Sequence, residues 1–311
     1  MKKHISDTRV VATSLAVSVS DVVLNLVVAI MTGSTVMLSQ SLQGLSDLIT
    51  GGILLIGVKR SKKEADTIYQ FGYGREIFFW VLMAGVLMFL GTGGLSFYFG
   101  IQQFLNPHTI TDVYLAVIML VIGFSSNLYS LQLSVRRINQ SKAKDSWWWQ
   151  LRYSSIVETK ATLLIDFLGT LAAGLGMIAI LIFILTDNAR FDGLGSMAIG
   201  VMMMVAAIFL IKDVRDLIVG RSVDVRLAKK ITRIAQKTSG VVSVLDLRTM
   251  YLGSGKLLVI IEIHVQDGFD TDEVEKIVDD VKHLVKSSIP EVHHIQVEVE
   301  TPDSEMIPSS F

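Results

Sequence analysis

The chain has no cysteine among its 311 residues, which excludes a disulfide framework and any thiolate metal centre. Proline is nearly missing too: only Pro107, Pro290, Pro302 and Pro308 are present, and none interrupts a long apolar stretch, so helices can run unbroken. Charge is scarce, at 18% of residues with a net of −1, and no global basic excess points to nucleic acid as a partner. What the chain does have is apolar mass: 51% of it is hydrophobic and its mean hydropathy is +0.53, more than one soluble core of this length requires. Lipid is the solvent that such a composition implies.

A bilayer core about 30 Å thick takes roughly 20 helical residues to cross. Apolar stretches of that length occur at about 10–31, 36–58, 77–104, 111–134, 156–185 and 193–212, which predicts six transmembrane helices. Turn-forming words separate them: "TGST" at 32–35, "NPHTITD" at 106–112 and "TDNARFDG" at 186–193. The charged start and long apolar run at the N-terminus, without a small-residue cleavage site, read as a retained first span and not as a signal peptide.

Lys and Arg set the orientation. Lys2, Lys3 and Arg9, then Lys59, Arg60, Lys62, Lys63 and Arg75, then Arg136, Arg137, Lys142, Lys144 and Arg152, then Lys212, Arg215 and Arg221 all fall on one side, whereas the opposite loops offer only Arg190. Both termini are therefore expected in the cytoplasm, with Trp147, Trp148 and Trp149 anchoring at the headgroup level.

Near residue 221 the composition becomes that of a soluble domain. A helical pattern in "VRLAKKITRIAQKTSG" is followed by two strand-like runs meeting at Gly253-Ser254-Gly255, a helix in "DTDEVEKIVDDVKHLVKSSI" and a last strand in "HHIQVEVET". This α-β-β-α-β order predicts a small ferredoxin-like domain, three strands with two helices on one face. The expected division is thus a membrane domain over 1–220 and a cytoplasmic α+β domain over 221–311.

Polar residues inside the spans are few. Gln43 and Asp47 lie four apart on the second span, on one face, and Thr162 and Asp166 repeat that spacing on the fifth. Ionised acids are costly at mid-helix, so a shared site explains two of them better than two unrelated placements. Together the four residues would form an oxygen cage of charge −2, suited to a divalent cation. The bland alternative has each aspartate bonding separately to Ser46, Asn25, Asn127 or Ser126 as packing glue. Asp21 and Asn25 on the first span fit a cavity-lining role and a structural one equally. Glu158 and Lys160, near a span end, need only snorkel. The small-residue words "GGILLIG", "GTGG" and "GTLAAGLG" would let helix backbones approach one another.

The layout resembles the cation diffusion facilitator family. "TGSTVMLSQSLQGLSDL" is similar to the family's first ligand segment, "KKEADTIYQFGYGREIFFW" to the stretch leading into its third span, and "FDGLGSMAIGVMMMVAAIFLIKDVRDLIVGRSVD" to its sixth span and exit; "GVKRS" points to the branch with a KRS-type second loop. The resemblance covers nearly the whole chain. It implies a homodimer, paired through the membrane and C-terminal domains, that exports a divalent metal (Zn, Mn, Fe or Co) by alternating access in exchange for protons. It implies no bound cofactor, and ligands at Gln43, Asp47, Thr162 and Asp166; the expected location is a prokaryotic inner membrane.

The family commonly has His or Asp where this chain has Gln43 and Thr162, and an all-oxygen set favours harder ions than zinc. His4, His108, His264, His283, His293 and His294 all lie outside the spans, so proton coupling falls to Asp47 and Asp166. A second loop site that some relatives carry is expected to be absent, because Asp66 is kept while Tyr69 and Tyr73 stand where histidines would be. His264 and His293-His294 are near the positions where many relatives bind metal in the tail, and strand histidines are more often structural. The competing reading is a non-transporting paralogue acting as a partner, scaffold or metal sensor. No His-Glu zinc helix, Gly-x-Ser-x-Gly nucleophile or phosphate loop supports an enzyme.

Overall fold

A computed structural model describes residues 7–140 and 157–302, with side chains described for 19–136 and 163–302. The tryptophan cluster at 147–149 and the basic residues Lys2, Lys3, Lys142, Lys144 and Arg152 lie outside the described residues, as do the side chains of Glu158, Lys160 and Thr162.

Long helices follow the apolar stretches: α1 (Asp7–Thr32), α2 (Thr35–Ser61), α3 (Glu76–Leu105), α4 (Val113–Gln140), α5 (Val157–Thr186) and α6 (Arg190–Val219). Among the described residues five of these, α2 to α6, are long and apolar enough to cross a membrane, and α1 adds the apolar stretch Val19–Thr32. The turn before α6 is shorter than its sequence implied, because Arg190, Phe191 and Asp192 are already helical.

Small residues bring α3 and α6 together. A Cβ on Gly100 would sit 2.7 Å from the Gly193 carbonyl oxygen, and one on Gly200 2.8 Å from that of Gly93, so the two backbones touch along about two turns. Gly93 and Gly94 fall within a π-helical segment, Met88–Gly94, that locally widens α3. The first two glycines of "GGILLIG" behave differently. Around Gly51 and Gly52 a Cβ would meet nothing within 4 Å, so this pair draws no helix close. The bundle core is built from Val36, Met37, Leu120, Ala172, Ile180 and Ile199, all within a few percent of complete burial.

The chain divides into two compact units, and the second comprises the connection 59–78 together with the residues from 215 onward. That unit contains α7 (Val225–Gln236), β1 (Val241–Gly253), β2 (Lys256–Val265), α8 (Thr271–Ser288) and β3 (Val292–Val299). Asp224 caps α7 by accepting from the Arg226 and Leu227 amides, and Asp270 with Glu273 forms a capping box on α8. The sheet order is β1-β2-β3, with β1 antiparallel and β3 parallel to β2. Alternate residues Leu257, Val259, Ile261 and Ile263 are buried with Ile277, Val281 and Val285 of α8, while Arg248 and Glu262 pair on the other face. The expected α-β-β-α-β layer is therefore present.

Within this unit the 59–78 connection packs on the β1–β2 turn. A Cβ on Gly74 would meet the Leu252 oxygen at 2.4 Å, a Cβ on Gly253 would meet the Gly74 oxygen at 2.8 Å, and Phe71 stands edge-on to His294 at 5.5 Å. The Arg75 guanidinium donates to the Ile218 carbonyl.

Candidate metal site and its surroundings

Gln43 and Asp47 occupy successive turns of α2. Gln43 is 4% exposed, and its Oε1 has no hydrogen-bond partner among the described residues. Asp47, half-buried, lies within electrostatic reach of Asp166 on α5 and of Asp21 on α1. Two of the four sequence-derived candidates thus come from different helices and act on each other, a third is buried on the same helix as one of them, and the Thr162 side chain is outside the described residues. Asp21 also accepts a bond from Asn25.

Asp166 has a partner that the sequence reading did not name. Ser134 on α4 donates to its Oδ2 at 2.5 Å, and Thr170 donates to its backbone oxygen at 2.9 Å. Asn127, two turns from Ser134 on α4, lies against Gly169, where a Cβ would come 2.8 Å from its Oδ1. The seven-residue spacing of Asn127 and Ser134 marks a common helical face and was the available signal. Thr92, in the π-helical segment, donates to the Leu42 carbonyl at 3.4 Å, beside Gln43. Three residues on from Asp47, Thr50 joins Leu54, Val81, Leu164 and Leu210 around a small apolar cavity.

The donors here are oxygens. Among the described residues no group of three His, Cys, Asp or Glu side chains is arranged to hold a metal ion.

Two further aspartates each gather several donors, one at the N-terminus of α2 and one in the connection after it. Asp192 of α6, fully buried, accepts from the Ser34 hydroxyl at 2.5 Å, the Thr35 amide at 2.6 Å, the Thr35 hydroxyl at 2.7 Å and the Val36 amide at 3.2 Å. It supplies from another helix the acceptor that the first amides of α2 lack. In the connection after α2, Asp66 accepts from the Tyr73 hydroxyl at 2.6 Å, Lys63 at 3.2 Å and the Ile68 and Tyr69 amides. The Tyr73 hydroxyl, the Tyr69 amide and Lys63 hold its carboxyl well below the usual range, and Tyr73 with Asp66 pushes the Lys63 ammonium up. In the sheet, His264 Nδ1 sits 3.2 Å from the Glu300 backbone oxygen, and burial followed by Lys256 and Lys286 pushes His293 down.

Comparison with known proteins matches residues 11–219 to the cation efflux transmembrane domain and residues 224–302 to the cation efflux protein cytoplasmic domain. The proton-coupled zinc antiporter SLC30A9, mitochondrial, of Mus musculus is 25% identical over 276 residues, covering 88% of this chain and 47% of its own length. Metal tolerance protein C4 of Arabidopsis thaliana is 24% identical over 237 residues, 74% of this chain and 51% of its own. A solved C-terminal domain of MamM is 22% identical with a TM-score of 0.24, covering 25% of this chain and 96% of that one. The chain spans about half the length of the curated relatives it matches.

Proposed function

This chain belongs to the cation efflux family, whose members are metal-cation transporters and not enzymes, and from that premise we propose that it carries a divalent cation across a membrane in exchange for protons, binding it at Gln43, Asp47, Thr162 and Asp166. The reading rests on one observation above the others: Asp47 and Asp166 project from different apolar helices and act on each other electrostatically. Two carboxylates within electrostatic reach of each other in a medium of low dielectric repel, and a divalent ion held by both would remove that repulsion. The buried Gln43 Oε1, without a partner among the described residues, is a neutral donor one turn away.

Exchange follows from the same charges. A departing ion leaves two like charges within reach of each other, protons neutralise them, and the next ion displaces those protons. The mouse relative's name, a proton-coupled zinc antiporter, supports both zinc and protons. The oxygen-only donor set favours weaker zinc binding than a histidine site gives, and leaves manganese, iron and cobalt as competing cargo. The working unit is a homodimer with both termini in the cytoplasm, consistent with the basic residues gathered at that side. Ser134 orients the Asp166 carboxylate by its hydrogen bond.

Proteoliposomes containing a metal-sensing dye test the reading with a panel of Zn, Mn, Fe and Co under an imposed pH gradient. Uptake should follow the gradient, and Asp47→Asn or Asp166→Asn should abolish it. Equal uptake by the double Asn variant and the parent sinks the assignment.

A further inference from the structure

Asp192 has no place in the cage, yet it is a fully buried carboxylate whose four donors, two hydroxyls and two amides, are all uncharged and all belong to residues 34–36. Carboxylates in apolar surroundings are retained where they hold something in place. A second fastening lies one turn along α2. The Ser39 and Ser196 hydroxyls are 2.7 Å apart, and Ser196 donates onward to the Ser96 carbonyl of α3 at 2.7 Å, with Ser39, Ser196 and Ser96 all completely buried. Between these two fastenings Val36 is wedged in the space that a Cβ on Gly176 or Gly195 would occupy, at 2.7 and 2.9 Å. Ser34 and residues 35–39 of α2 are thereby tied to α6, and α6 is joined backbone to backbone with α3. Ser39 stands one turn before Gln43 and two before Asp47.

We propose that Asp192 is a positioning residue for the cation site: by holding the N-terminus of α2 on α6 it fixes the height and tilt of the helix that presents Gln43 and Asp47. The ligand-bearing half of α2 then moves as an arm whose base stays with α3 and α6, and releasing the base misplaces both ligands together. A helix shifted by about an ångström is enough to weaken a ligand set strongly. Hydroxyl and amide donors suit this role because they hold the carboxylate without a mobile cationic side chain.

The functional readout rests on the transport reading above; a structural readout does not. The cysteine-free chain allows both. Nitroxides on Leu45→Cys and Val201→Cys, exposed positions of α2 and α6, report their separation in lipid vesicles, diluted with unlabelled protein to isolate one protomer. Asp192→Asn should broaden that distance distribution and raise the KM for metal about tenfold, the scale of one lost charge-assisted hydrogen bond. Ser34→Ala should do the same to a smaller degree, and serves if Asp192→Asn does not fold. A Ser39→Cys/Ser196→Cys disulfide, formed in the Asp192→Asn background, should restore the narrow distribution and bring KM back near the parent value. A change in protein yield with unaltered distances and KM would make Asp192 a folding residue only and overturn the proposal. If the parent moves no metal, the transport reading fails, and the distance measurement still decides whether Asp192 positions α2.

Discussion

Asp192, at the N-terminus of α2, and Asp66, in the connection that follows α2, are each held by several donors, and the contrast between them shows how solvent dictates the means. Asp192 is completely buried and is met by two hydroxyls and two backbone amides. Asp66 lies in an exposed connection and is met by two amides, a phenol and the Lys63 ammonium. In water a cation beside a carboxylate is cheap to place and contributes little, because solvent screens it. In an apolar bundle each added ion must lose its own hydration, so neutral dipoles aimed at one charge are the less costly arrangement. Backbone amides serve both sites because the first turn of a helix, or a tight loop, leaves them without partners.

The largest expected effect breaks the buried end. Asp192→Ala leaves two amides and two hydroxyls unsatisfied in an apolar region and should cost about 3 kcal/mol, read as a lower midpoint in detergent unfolding. Asp66→Ala exposes its former donors to water and should shift that midpoint far less. A loss at Asp66 equal to that at Asp192 would refute the solvent argument.

Next in size is Gly74→Ala, which tests whether the exposed end depends on packing more than on charge. Its new Cβ would meet the Leu252 backbone oxygen at 2.4 Å, and backbone cannot yield as a side chain does. A loss of about 2 kcal/mol is expected in the cytoplasmic unit, visible as faster proteolysis of the 59–78 connection. Unchanged cleavage would mean that the connection is not seated on the β1–β2 turn.

Acidification sharpens the comparison further. His293 has a folded-state value below its unfolded one, so its contribution is complete above the ordinary imidazole range of about 6.5 and is lost as pH falls. Asp66 is also depressed, but its contribution stays complete above about 3.9, the unfolded carboxyl value. Between pH 7.5 and 5.5 the Tm of the cytoplasmic unit should therefore fall, His293→Gln should flatten the slope, and Asp66→Asn should leave it unchanged. The smallest effect lies between the two ends: Gly51→Ala has open space around it and should stabilise α2 by about 0.5–1 kcal/mol. A destabilising result would show that the middle of α2 must bend.

Much of the fold was legible in the residues themselves. Apolar stretches between turn words place the helices, and the period-two pattern in "KLLVIIEIHV" against the period-3.6 pattern in "TDEVEKIVDDVKHLV" places the cytoplasmic layer, because each pattern fits only one kind of backbone. Asp47 and Asp166 stood out because charge inside an apolar helix is rare. Ser134 did not, since serine near a span end is unremarkable until α4 is seen beside α5. Asp192 was hidden inside a loop word, where an aspartate reads as a turn former.

Composition and periodicity by themselves determined that this chain lives in lipid, how its helices and strands alternate, and which acids lie inside apolar spans; these follow from local chemistry and solvent. Only the tertiary structure decided which helices touch, that Gly93, Gly100, Gly193 and Gly200 interlock while Gly51 and Gly52 face open space, and that the carboxylate capping α2 arrives from 157 residues away in sequence. Such choices depend on complementary surfaces meeting in three dimensions, and no single segment carries that information.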